Sequence, residues 1–228
     1  MKIIARCHPL LEPLLPKPVR ATHALPDWLG EMPSQIDAVT LGGATVRTLK
    51  HCPPIIDAMR LGVLILCPTD ITVRGGVVSW DWDPPILTDA NISRAPIGVH
   101  VPEQAEGSPY AGQQLFLKFM NFWTLQTPPG WSLLFMHPQG YPDLPFTTLG
   151  GVVDCDTYSD GYVHFPALLT PGFEGVIPKG TPVAQAVPVQ KETALEIAAM
   201  SPVQVADNRA VQDELARTPG QYRKVFRR

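Results

Sequence analysis

No stretch of this sequence reaches the roughly 18 unbroken apolar residues that a membrane-crossing helix requires, so no helical membrane span is expected. Charge is also sparse. Acidic and basic side chains make up 17% of the residues and nearly cancel, to a formal −3. That balance supplies no global basic field for nucleic acid or an acidic lipid surface. Cysteine is limited to Cys7, Cys52, Cys67 and Cys155, with no C-x-x-C pair, whereas zinc sites draw on clustered ligands at short spacings. His8 beside Cys7 and His51 beside Cys52 do not repair this, because neighbours on an extended chain point to opposite faces. The thiols read as structural or free, and no metal and no cofactor is expected. Also missing are a phosphate-cradling G-x-x-x-x-G-K-[ST] loop and a Ser/His/Asp nucleophile motif.

Turn formers, by contrast, are plentiful: 26 prolines and 18 glycines in 228 residues. Pro breaks helices and Gly weakens them, so this composition suits many short strands joined by turns. The expected fold class is all-β, a barrel or sandwich of short strands. Three regions are anticipated: a Pro-rich N-terminal arm over 1–48, a β domain over 49–190, and a helical, basic extension over 191–228. In the arm, Arg6, His8, Glu12 and several prolines interrupt any signal-peptide core, so a cytoplasmic origin is expected.

Within the β domain, "CPPIIDAMRLG" predicts a short helix, with Pro53 and Pro54 in its first turn and Gly62 as its stop. "VLILC" reads as a buried strand, and "DITVR" and "VVSWDW" as a hairpin about Gly75-Gly76. "SWDWDPP" is expected as a two-faced strand with Asp81 and Asp83 in water. "IGVHV", "WSLLFMHP", "GGVVDCD" and "YVHFPALL" supply further strands. "LFLKFMNFWTLQT", from Leu115 to Thr127, is expected as one central strand, apolar on both faces. The prolines of "TPVAQAVPV" favour an edge or a bulge. "KETALEIAAM" reads as a helical turn or a strand exit. "VADNRAVQDELART" reads as a helix capped by Asp207 and stopped by Pro219-Gly220. Arg223, Lys224, Arg227 and Arg228 are candidate nucleic-acid contacts, although a solvated tail is the favoured reading.

Three segments carry a resemblance. "TPPGWSLLFMHPQG", "GGVVDCDTYSDG" and "VIPKGTPVAQAVPV" stand in the order and near the spacing of the trimeric dUTPase and dCTP deaminase superfamily. The likeness, over about residues 122–190, implies a dUTPase-like β-clip fold. It further implies that Asp154 takes the place of the family's water-activating aspartate, a general base towards the water attacking a nucleotide phosphate. Tyr158 falls near the aromatic that packs on deoxyribose, and Gln185 matches the last strand's Gln. The phosphate-contacting Arg-Ser of the family is replaced by His137, Pro138 and Gln139, and its Arg before Ala-Gln by Pro182. Residues 186–228 contain a single glycine, Gly220, so the Gly-rich closing arm is missing as well. A polyphosphate needs convergent cationic or backbone donors, and no such set is expected around Asp154. Separately, "LKHCPPIIDAMRLGVLILCPTDITV" resembles a stretch of an uncharacterised family of tailed-phage and bacterial proteins, which implies a phage or prophage setting.

Asn121, Trp123 and Trp131 could line a pocket, with aromatics to stack and an amide to hydrogen-bond. With Tyr158 and Gln185, which the resemblance implies, and Asp156, the candidate ligand-binding residues are Asp156, Tyr158, Gln185, Asn121 and Trp131. Asp154 and Asp156 also suit a strand-ending turn, where Asp bonds the local backbone. His137 and His164 with Asp154 could imitate a two-His-one-carboxylate iron site. The preferred expectation is a non-enzymatic binding or assembly protein on a dUTPase-like scaffold. It would be a homo-oligomer or bind a phage or host protein, in the cytoplasm or a virion. A divergent nucleotide hydrolase or deaminase using Asp154 is the alternative, and a metal-dependent oxygenase the third.

Overall fold

The computed structural model describes residues 1–112, 116–218 and 220–227. It is mostly short antiparallel strands, and its longest helix lies near the C-terminus. In chain order the first eight strands are β1 (Ile4–Cys7), β2 (Val19–Arg20), β3 (Gln35–Ala38), β4 (Ala44–Arg47), β5 (Val63–Leu66), β6 (Ile71–Arg74), β7 (Val77–Ser79) and β8 (Ile97–His100). The rest are β9 (Phe116–Phe119), β10 (Trp123–Gln126), β11 (Ser132–Met136), β12 (Phe146–Thr148), β13 (Gly151–Val153), β14 (Phe165–Leu169), β15 (Gly175–Ile177) and β16 (Pro182–Val189). Helices are α1 (Asp27–Glu31), α2 (Pro53–Arg60), α3 (Pro202–Arg217) and α4 (Gln221–Val225). No helix among the described residues is long and apolar enough to cross a membrane.

The chain divides into two compact units, residues 1–31 with 58–191 and residues 32–57 with 192–228. In the first, one sheet runs β13-β11-β16-β5-β2 and another β12-β14-β9-β8, beside the smaller β15-β6-β7 and β1-β10. The two larger sheets meet in one core. Ile65, Leu133 and Phe135 enter it from the first, and Leu117, Phe119 and Phe165 from the second. The Phe135 and Phe165 rings sit 5.3 Å apart, and Phe119 and Phe146 4.7 Å apart. Each such side chain removed from water contributes about 1.5–3 kcal/mol. A smaller cluster gathers Leu11, Leu15, Phe122 and Trp123.

The expected helix over 53–60 forms, and Gly62 ends it for a steric reason. Its φ is +74°, and a Cβ there would lie 2.0 Å from the Ala186 carbonyl oxygen. The Gly75-Gly76 hairpin also forms, with both glycines at positive φ, as a tight two-residue turn demands.

Elsewhere the sequence reading is corrected. The single strand expected over 115–127 is two strands in different sheets, β9 and β10, with Leu115 outside the described residues. Asn121 makes the break: its side chain accepts from the Trp123 N–H at 3.0 Å and donates to the Trp123 carbonyl at 2.7 Å. An amide side chain that satisfies its neighbours' backbone in this way replaces ladder bonds. β16 is not an edge but lies between β11 and β5. The other alternative its prolines offered, a bulge, fits what is found: the register slips between Pro182 and Ala184, and pairing with β5 ends at Ala186, before Pro188. After Ser79 the "WDWDPP" run leaves the sheet. Trp82 packs edge-on against Phe122, and Asp83 pairs with Arg94.

The N-terminal region also behaves differently from an arm. β1 pairs with β10, β2 pairs with β5, and Leu11, Leu15, Ala21 and Leu29 are buried. Residues 1–31 thus belong to the first unit, and 32–57 to the second.

The second unit holds the β3–β4 ribbon, α3 and α4. Helix α3 starts at Pro202, five residues before the expected cap Asp207. Ser201 is the cap: its hydroxyl accepts from the Gln204 N–H, and the Gln204 side chain accepts from the Ser201 N–H. That reciprocal pair is a capping box. Preceding it, "KETALEIAAM" forms neither a helical turn nor a strand. Arg227 pairs with Asp57. Pro219 and Arg228 lie outside the described residues.

Candidate functional site

Strand β13 ends at Val153, and the chain turns at once. The Asp154 carbonyl accepts from the Thr157 N–H at 3.1 Å and the Tyr158 N–H at 2.7 Å. The Asp156 carboxylate accepts from the Gly130 N–H at 2.9 Å, which ties this turn to the one leading into β11. Beside it, the Thr127 N–H donates to the Cys155 carbonyl and the Thr127 hydroxyl to the Trp131 carbonyl. Asp156 and Trp131 therefore stand on two turns stitched together by backbone bonds.

The Asp154 carboxylate is occupied on both oxygens. The Ser132 hydroxyl donates to one at 2.7 Å, and the Lys191 ammonium to the other at 2.7 Å. Bonds from Lys191 first and Ser132 second hold its pKa below the ordinary carboxylate value, since both stabilise the charged form. A carboxylate so stabilised is a weaker base towards water. Sequence reasoning anticipated no cation here, and Lys191 corrects that in part. It arrives from the end of β16, 37 residues along the chain. A lone lysine that neutralises the aspartate falls short of the several donors a triphosphate requires. Ser132 was missed as well, although its place at the start of β11, opposite the end of β13, follows from the register of those strands.

The other candidates are dispersed. Gln185 is fully buried in β16. Its oxygen accepts from the Gln139 N–H at 2.9 Å, while its nitrogen donates to the Ala58 and Leu61 carbonyls at 2.9 and 2.7 Å. Every strong bonding direction of that amide but one is spent on backbone, locking the end of α2 and the 137–140 turn to the central strand. Asn121 is buried too and serves the β9–β10 break, where its own N–H donates to His164 Nδ1 at 3.1 Å. Tyr158 is half-exposed, and its ring covers Gly161 so closely that a Cβ there would lie 2.0 Å from the ring.

The two histidines and Asp154 are not gathered into an iron site. His137 Nδ1 accepts from the Thr148 N–H at 3.2 Å, which leaves Nε2 as the protonated nitrogen, donating to the Tyr141 carbonyl. Burial, followed by the nearby charge of Lys118, pushes the His164 pKa down. Among the described residues no three His, Cys, Asp or Glu side chains are grouped so as to hold a metal ion. Burial raises the Cys155 thiol to about 11 and Cys67 to about 12, so neither is a ready nucleophile.

Comparison of the sequence with protein-family models finds no match, and comparison with curated proteins finds no relative.

Proposed function

We propose that this chain is a non-enzymatic binding and assembly protein on a dUTPase-like β-clip scaffold, and that its second unit is completed by neighbouring copies. The scaffold reading draws support from topology. The three segments that carry the resemblance contribute β11, β13 and β16, which are consecutive neighbours in one sheet. The absence of catalysis is inferred from chemistry: Asp154, the only base the resemblance offers, is bonded to Ser132 and Lys191.

A single observation carries the assembly reading. Among the described residues, the unit formed by 32–57 and 192–228 has one buried hydrophobic side chain, Ile56. Every residue from Gln190 to Asp213 is exposed, including Leu195 at 83% and Ile197 at 88%. Glu192, Ala194, Leu195, Glu196, Ala198, Ala199 and Met200 are strong helix formers, yet 192–200 is irregular. A segment that forgoes its preferred local structure and buries nothing on itself gains its order from a partner.

Size-exclusion chromatography with light scattering tests the reading. The wild-type chain is expected above monomer mass, and a Leu195→Asp/Ile197→Asp double variant at monomer mass. A wild-type chain that stays monomeric and captures no partner removes the proposal. Incubation with a panel of deoxynucleotides supplies the enzymatic control: turnover abolished by Asp154→Ala would replace assembly with hydrolysis.

A further inference from the structure

A cavity of about 380 Å³ lies beside β8 and is built from other strands than those that hold the Asp154 turn. Its apolar side is formed by Phe116 of β9, Pro166 of β14 and Leu149, which follows β12 and donates its N–H to the Pro166 carbonyl at 2.8 Å. The polar side comes from His100, Gln104 and Tyr110, on the end of β8 and the tight turns after it. The volume falls within the range of small-molecule sites, and a largely apolar wall with a few polar groups is their usual make-up.

Hydrogen bonding fixes what the polar side offers. Gln104 Oε1 accepts from the Val101 N–H at 3.0 Å, which identifies that end of the amide as the carbonyl. The same oxygen stands 3.1 Å from His100 Nδ1, so Nδ1 carries the hydrogen of this contact. In the neutral ring, Nε2 is then a lone-pair acceptor. Among the described residues neither Nε2 nor the Tyr110 hydroxyl has a hydrogen-bond partner, and no Lys, Arg, Asp or Glu lines the cavity.

We propose that this cavity binds a small, neutral aromatic molecule carrying one N–H or O–H, which the His100 ring accepts while the ring system lies against Phe116, Leu149 and Pro166. An anion would find no countercharge among the described lining residues, and a guest without an N–H or O–H would leave the imidazole acceptor without a partner on desolvation. The inference stands apart from the assembly reading, because it uses no residue of the second unit.

Calorimetric titration of the full chain with indole and with N-methylindole tests it. Wild type is expected to bind indole about tenfold more tightly than the N-methyl compound, the worth of one hydrogen bond. In His100→Phe, which keeps a ring but no acceptor, the two compounds should bind alike. Leu149→Trp should fill the cavity and abolish binding of both. Ala105→Met, at another lining position, serves the same purpose should the first substitution unfold the chain by circular dichroism. Failure of wild type to bind indole overturns the proposal. So does equal binding of the two compounds by wild type, or unchanged binding in a folded cavity-filling variant.

Discussion

Gln185 and Asp154 come from the same resemblance, and their surroundings give them different work. With the Gln185 amide buried and bonded to three backbone groups, Gln185→Leu would keep the bulk of the side chain while stranding the Gln139 N–H and the Ala58 and Leu61 carbonyls. The expected loss is about 3 kcal/mol, read as a lower urea midpoint at unchanged slope. Asp154 is half-exposed and carries a lowered pKa, so its contribution depends on pH. Its folded pKa lies below its unfolded one, near 3.8. The stabilisation is therefore present above that value and is lost as pH falls through the folded pKa. Lys191→Met should return the pKa towards its ordinary value. The stability gap between wild type and variant should then close as pH falls from 5 to 2, in denaturation curves taken along that range. The turn after β13 was legible, because short polar residues after an apolar run are read locally, but neither aspartate bonds the local backbone with its side chain: the Asp154 carboxylate bonds Ser132 and Lys191, and that of Asp156 the Gly130 N–H. Ser132 and Lys191 were not, because strand register and not sequence distance brings them to the carboxylate.

Elements were legible where local chemistry decided them. Two prolines start α2 and a steric limit at Gly62 stops it, and the Gly75-Gly76 turn needs positive φ twice. The break between β9 and β10 was hidden, because Asn121 sits in an apolar run and does its work through side-chain bonds that no periodicity announces. The start of α3 lies five residues before Asp207, where Ser201 and Gln204 form a capping box around Pro202, a signal local enough to be read from sequence. Ser201→Ala should cost α3 about 1 kcal/mol. Since no residue of that helix is buried, the effect should be local. Amide exchange at Gln204 and Val205 should quicken while the global melting temperature stays put.

At the level of the whole molecule, all-β character followed from composition. The division into units did not follow, since it depends on which distant segments share contacts. Residues 32–57 look no less ordered in sequence than 1–31, yet only the latter bury leucines in the β unit. Hydrogen exchange on the isolated chain should show the difference. Amides of β9, β11 and β16 are expected to exchange only through global opening, and those of β3, β4 and α3 through local opening. Equal protection across both units would mean that the second needs no partner.

The interleaving of the two units also has a consequence for biosynthesis. The ribosome must make residues 58–191 after the β3–β4 ribbon has emerged and before its companion segment exists. At about 5–20 residues per second, the ribbon waits on the order of 7–27 seconds. A lone two-stranded ribbon is at best marginally stable in water. During that interval its bare edges and the side chains of Ile36, Val39 and Leu41 are open to capture by whatever nascent chain is translated alongside.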